Sequence, residues 1–179
     1  MELYVIRHGE VDLNLKHLIN GVNDSSLNET GIKQARSKQD EVKKLNLDYI
    51  ICSPLLRTRQ TCDIINVNNV EVIYDNRLIE RDSRSMQYTL DSNLDLDIWY
   101  DHTKEVIYKD TEGFGSVCKR VYGFLDEIKE KYPNSNILLV THGDVCKAIY
   151  TYFNKDSWEY IKNNEQKNCE IVKLEMHTL

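Results

Sequence analysis

The sequence predicts an α/β fold: a three-layer αβα sandwich around a mostly parallel sheet, with one antiparallel edge strand. Three observations predict it. Short apolar runs alternate with segments of helical period, as in strands joined by crossover helices. Two of the runs, Tyr4-Val5-Ile6 and Ile137-Leu138-Leu139-Val140, are uninterrupted, as strands buried on both faces are. Near the end, Val172, Leu174 and Met176 alternate with other residues, mostly charged, which suits an edge.

Glu2–Ile6 reads as the first strand. Thr30–Leu45 is expected as one helix, with Ile32, Ala35, Val42 and Leu45 on one face. Leu47–Cys52 follows as the second strand. Ser53 is the expected N-cap of the next helix, and Pro54 stands in its first turn, where a missing N–H is no loss. That helix runs to Ile65, and Val70–Tyr74 is the third strand. Gly113–Lys131 carries an apolar stripe of Val117, Val121, Phe124, Leu125 and Ile128, and Pro133-Asn134 stops it. Ile137–Val140 is the fourth strand. A helix from Asp144 to Phe153 lies behind it, with Asp144 as its expected N-cap.

Asp82–Glu112 breaks this rhythm. It is highly charged and weakly periodic, apart from a helical stretch near Leu94–His102, and a segment of that length is expected to serve as a lid or binding loop. With no repeat and no low-complexity tract, residues 1–179 read as a single domain carrying a lid-like insertion at about 82–112.

The formal charge of −6 argues against nucleic acid or a polybasic membrane anchor as partner. No apolar run reaches the length of a spanning helix. The first strand begins at Glu2, which leaves no room for a signal peptide, so a cytoplasmic location is expected. The five cysteines are odd in number and form no Cys-x-x-Cys. They are expected as reduced core residues.

The candidate chemistry lies where the two apolar strands end. Each runs into a His-Gly pair, His8-Gly9 and His142-Gly143. In an open α/β sheet the ligand crevice lies beyond the carboxyl ends of the strands. A following glycine lets backbone approach a ligand. A neutral imidazole is a nucleophile near pH 7, and a neighbouring Arg7 holds oxyanions through its fork of donors. Together they suit attack on a phosphoryl group. A buried structural histidine is the plainer alternative for a lone Arg-His pair, but two such strand endings outweigh it. Zinc on His8, His142 and a carboxylate is disfavoured, because Arg7 sets a fixed cation beside the ligands and no His-x-x-x-His or Cys-His cluster exists.

Four blocks carry a resemblance. Arg7-His8-Gly9-Glu10, with Asn14, Gly21-Val22-Asn23-Asp24 and Leu27-Asn28-Glu29-Thr30-Gly31, is the first. Cys52-Ser53-Pro54-Leu55-Leu56-Arg57-Thr58-Arg59-Gln60-Thr61 is the second, Leu78-Ile79-Glu80-Arg81 the third and Thr141-His142-Gly143 the last. In this order and spacing they resemble the histidine phosphatase superfamily, whose fold is phosphoglycerate mutase-like. The resemblance implies that His8 is phosphorylated and that Arg7, Arg57 and His142 form the phosphate pocket. It implies that Glu80 is the general acid and then the base. It places Asn14, Asn20 and Gly21 at secondary phosphate or substrate contacts. No metal or other cofactor is expected. A protonated His142 would help balance the phosphate charge, and the N-terminus of the helix after His142 would add backbone N–H groups. Glu80 needs a raised pKa to act as an acid.

Arg81 either clamps the leaving group or pairs with Asp82. Arg59, His17, His102 and His177 read as surface residues. The acids of 82–112 outnumber its bases, which argues for a phosphatase acting on a monoester with few further negative charges. Tyr88, Trp99, Tyr100 and Tyr108 serve to anchor the lid or to stack on the leaving group, the former preferred. Three alternatives stay open: a 2,3-bisphosphoglycerate-dependent phosphoglycerate mutase, a phosphohistidine protein phosphatase, and a non-catalytic phosphate-binding module. The expected partner is a small phosphorylated substrate, and a homodimer is compatible with the sequence.

Overall fold

The computed structural model describes residues 1–154 and 158–174. Among these the chain runs β1 (Glu2–Arg7), α1 (Asp12–Leu15), α2 (Glu29–Ser37), α3 (Gln39–Lys43), β2 (Tyr49–Cys52), α4 (Leu56–Ile65) and β3 (Glu71–Tyr74). It continues through α5 (Leu96–Trp99), β4 (Val106–Ile107), β5 (Thr111–Glu112), α6 (Phe114–Lys131), β6 (Asn136–Thr141), α7 (Gly143–Phe153), α8 (Trp158–Asn163) and β7 (Ile171–Leu174). Met176 and His177 lie outside the described residues.

The main sheet has the order β3-β2-β6-β1-β7. Its first four strands are parallel, and β7 closes the edge antiparallel to β1. Alternation along the strands decides the layers. Leu3, Val5, Ile137 and Leu139 face a core built with α6 and α7. Tyr4, Ile6, Leu138 and Val140 face a second core with Ala35, Val42, Cys62 and Ile65 from α2, α3 and α4. Each such side chain contributes about 1.5–3 kcal/mol by leaving water. All five cysteines are buried and free.

Three helix starts differ from the sequence reading. The expected Thr30–Leu45 helix breaks at Lys38. There the Ser37 hydroxyl donates to the Gln34 carbonyl at 2.7 Å, and the Lys38 N–H turns to Ala35 instead. Leu55, not Ser53, is the N-cap of α4, because Ser53 is engaged by His142. His142, not Asp144, is the N-cap of α7, and Asp144 lies inside its first turn.

Residues 82–112 form 3₁₀ turns at Arg84–Met86 and Asp91–Asn93, the single turn α5, and the small β4–β5 hairpin. Trp99, Tyr100 and Ile107 tie this segment into the larger core. Trp99 and Tyr100 thus anchor the segment, and both also border the crevice described below. Tyr88 is half exposed and bonds to Asn23.

The strand register delivers the two histidines to one place. Arg7 pairs with Thr141 across β1 and β6, and the His8 N–H donates to the Thr141 carbonyl at 3.0 Å. His8 and His142 therefore leave adjacent strands at the same end of the sheet.

Candidate active site

The crevice at this end is a cavity of about 480 Å³. His8, Arg7, Arg57, Glu80, Arg81, Asn14, Asn20, Gly21 and Gly143 all line it. His142 sits behind them, fully buried, with its ring 5.2 Å from that of His8 and inclined by 60°.

A hydrogen bond fixes the state of the His8 ring. The His8 Nδ1 lies 2.7 Å from the Gly9 carbonyl, which only accepts, so Nδ1 carries the proton. Its Nε2 therefore holds a lone pair, and this pair accepts from the Arg57 Nε at 3.2 Å. Burial, with Arg57 and Arg7 close by, holds the His8 pKa well below its ordinary value. The ring is neutral at pH 7.

The His142 Nε2 lies 2.7 Å from the Ser53 hydroxyl, and its Nδ1 has no protein partner. Burial and then Arg57 push its pKa well down. The free ring is therefore held neutral, whereas the protonated form was expected with phosphate bound. A neutral ring with the proton on Nδ1 still leaves one buried donor.

Arg57 reaches the crevice from the first turn of α4. It is wholly buried, and donates to the Gly21 carbonyl at 2.8 Å and the Asn23 carbonyl at 2.5 Å. Gly21 has φ +59°, and a Cβ there would lie 2.1 Å from the Ser83 Oγ, so any side chain at this turn is strained and crowds Ser83. Burial lowers the Arg57 pKa to about 10, which leaves it charged at neutral pH.

Arg7 donates through Nη1 to the Gln166 carbonyl at 2.9 Å and to the Glu165 carboxylate, while its Nε has no protein partner. Glu80 is partly buried. Burial first, then the nearby Asp144, raise its pKa to about 7, against the opposing pull of Arg57. One Glu80 oxygen accepts the Arg81 backbone N–H at 3.0 Å.

Several residues have partners that the sequence did not suggest. Gly9 serves packing: a Cβ there would meet the Gly31 carbonyl oxygen at 2.6 Å. The Asn14 side chain accepts from the Val11 N–H at 3.2 Å, and the Asn20 amide donates to Ser25 at 3.0 Å. Arg81 does not pair with Asp82, which bonds Arg84. Instead the Arg81 guanidinium lies 3.9 Å over the Trp99 ring and bonds Asp144 at 3.4 Å. Asp144 faces the cavity, where its other oxygen accepts from the Tyr100 hydroxyl at 3.1 Å. His17 is exposed as expected, yet borders the cavity beside Asp91. His102 stacks on Trp158 at 3.8 Å.

The acidic-lid argument loses its premise. Of the acids in 82–112, only Asp91 lines this cavity. Asp82, Glu105, Asp110 and Glu112 line a separate cleft, and Asp97 pairs with Lys162.

Supporting residues went unread. Thr61 accepts the Gly9 N–H at 3.0 Å, and its place four residues after Arg57 on α4 was a usable signal. Glu165, Gln166, Asn168 and Lys147 gave none. Asn168 bonds the His8 carbonyl at 2.8 Å from the far end of the chain. Among the described residues, no cluster of His, Cys, Asp and Glu has the makings of a metal site, and no helix is long and apolar enough to cross a membrane.

Comparison with known proteins decides the family. The sequence model of the histidine phosphatase superfamily (branch 1) matches residues 3–178. The chain belongs to that superfamily. Phosphoserine phosphatase 1 of Hydrogenobacter thermophilus is 32% identical over 157 residues, covering 84% of this chain and 74% of the relative. GpmB of Cronobacter sakazakii, described as a probable phosphoglycerate mutase, is 33% identical over 150 residues, covering 80% and 70%. Among solved structures, phosphoserine phosphatase of Entamoeba histolytica in complex with 3-phosphoglyceric acid superposes with a TM-score of 0.83 at 23% identity, covering 96% of this chain and 89% of that one. This histidine phosphatase therefore shares their α/β fold, and its relatives include phosphatases that act on small phosphorylated compounds.

Proposed function

We propose that this histidine phosphatase hydrolyses a small phosphomonoester, without a metal, through a phosphohistidine on His8 Nε2. One observation carries the reading: a neutral, correctly tautomeric His8 faces a cavity ringed by buried donors. Arg7 Nε, Arg81 Nη2, Ser83 Oγ and His142 Nδ1 are buried without protein partners. Native interiors leave few such groups, and each calls for a reason. A tetrahedral oxyanion supplies it for those that face the phosphate. Arg7 and Arg57 provide the fixed positive charge that a metal supplies elsewhere.

In the first step the Nε2 lone pair attacks phosphorus and the ester P–O bond breaks. The leaving oxygen takes the Glu80 proton, which is held at neutral pH because the pKa stands near 7. The phosphate oxygens draw the Arg57 guanidinium off Nε2 and onto themselves. In the second step Glu80, now a carboxylate, takes a proton from water as the water attacks phosphorus. The P–N bond breaks and His8 is restored. Such preorganised donors matter greatly, since losing one costs about 100-fold or more in rate.

Steady-state turnover of p-nitrophenyl phosphate tests this. His8→Ala is expected to remove turnover while keeping much of the affinity for inorganic phosphate. A variant with near wild-type turnover contradicts the mechanism.

A further inference from the structure

Gly9 directly follows the nucleophile, and glycine has the freest backbone of any residue. Both peptide groups beside it are nevertheless pinned. In the His8–Gly9 peptide the carbonyl accepts from the Asn168 amide at 2.8 Å, and the N–H donates to the Thr61 hydroxyl at 3.0 Å. In the Gly9–Glu10 peptide the N–H donates to the Gln34 Oε1 at 2.9 Å, and the carbonyl accepts from the His8 Nδ1 at 2.7 Å. A peptide group is planar, so holding its N–H aims its carbonyl. Gln34, on α2, therefore aims the carbonyl that keeps the His8 proton on Nδ1.

That carbonyl matters most when substrate binds. In the free enzyme two contacts favour this tautomer: the Gly9 carbonyl at Nδ1 and the Arg57 Nε at Nε2. Phosphoryl transfer removes the second, because Nε2 must be bare to attack. The tautomer of an imidazole is set by the hydrogen bond of its other nitrogen, and only the Gly9 carbonyl then supplies one. A proton that moves to Nε2 abolishes the lone pair that attacks phosphorus. The shape of the loop has separate support, since the Glu10 carbonyl accepts the Asn28 N–H at 3.0 Å and the Glu10 carboxylate its side-chain amide at 2.9 Å. Among the described residues, Gln34 is the one side chain besides His8 that bonds the Gly9–Glu10 peptide.

We propose that Gln34 is a positioning residue for the nucleophile: by holding the Gly9–Glu10 peptide it keeps the His8 proton on Nδ1 and the attacking nitrogen bare. The inference rests on the phosphohistidine reading above. Gln34 touches neither substrate nor the His8 ring and acts through backbone alone.

Two variants at one position test it, with p-nitrophenyl phosphate as substrate. Gln34→Met is similar in length and helix propensity but has no acceptor for the N–H. Its kcat is expected to fall about tenfold, the upper range for one hydrogen bond, with KM and inhibition by inorganic phosphate little changed. Gln34→Glu keeps an acceptor and is expected to restore kcat. Long-range ¹H–¹⁵N spectra of ¹⁵N-histidine-labelled protein then read the tautomer, with His8→Ala identifying the His8 signals. In Arg57→Met, which lacks the contact at Nε2, the ring is expected to remain protonated on Nδ1. Adding Gln34→Met to it is expected to bring in the form protonated on Nε2. An unchanged kcat in Gln34→Met, a loss confined to KM, the same loss in Gln34→Glu, or a ring still wholly protonated on Nδ1 in the double variant overturns the role of Gln34 alone. Wild-type turnover with no phosphate on His8 overturns the phosphohistidine reading, and the catalytic role of Gln34 with it.

Discussion

Glu80 is the residue whose ionisation the mechanism depends on most. Its raised pKa comes from burial and then from Asp144. The neutral acid persists below about 7, so kcat/KM is expected to fall as pH rises through that value. Asp144→Asn removes a negative neighbour, which makes ionisation of Glu80 easier. The descending limb is then expected at lower pH, and a pH–rate profile of both proteins checks it. A limb that stays in place or moves up contradicts the assignment. His8, Arg57, Glu80 and Arg81 were legible because each sits in a local motif. Lys147 and Glu165 were not, since nothing local marks a residue that acts across the cavity.

At the scale of elements, glycine contacts hold the crevice in shape. Gly31, in the first turn of α2, backs onto the loop after β1. A Cβ there would lie 2.2 Å from the Glu10 carbonyl oxygen and 2.7 Å from its nitrogen. Neither backbone atom moves cheaply. Gly31→Ala is expected to destabilise the fold by about 1–3 kcal/mol, as overpacking does. Chemical denaturation measures it, and an unchanged midpoint contradicts the packing. Strands and long helices were readable from their periodicity. The starts of α4 and α7 were not, where cap preference met site chemistry. Ser53 is a good cap by type, but its hydroxyl serves His142, and the cap passes to Leu55. The break at Lys38 was hidden because Ser37 is neutral in a helix until its hydroxyl finds a carbonyl.

The whole molecule brings distant parts of the chain to one anion site: the ends of β1, β2 and β6, the start of α4, and Glu80-Arg81. Two strands running into His-Gly predicted that convergence, since a parallel pair in register ends at one point. The charge balance of 82–112 misled, because composition carries no direction and most of those acids face away from the cavity. The central claim is that His8 carries the phosphoryl group between two half-reactions. Rapid acid-free quenching of the enzyme with a ³²P-labelled ester, followed by peptide mapping, tests it most directly. The account predicts a base-stable, acid-labile label on the peptide containing His8, absent in His8→Ala. Full turnover with no label on that peptide, or with the label equally present in His8→Ala, would contradict it.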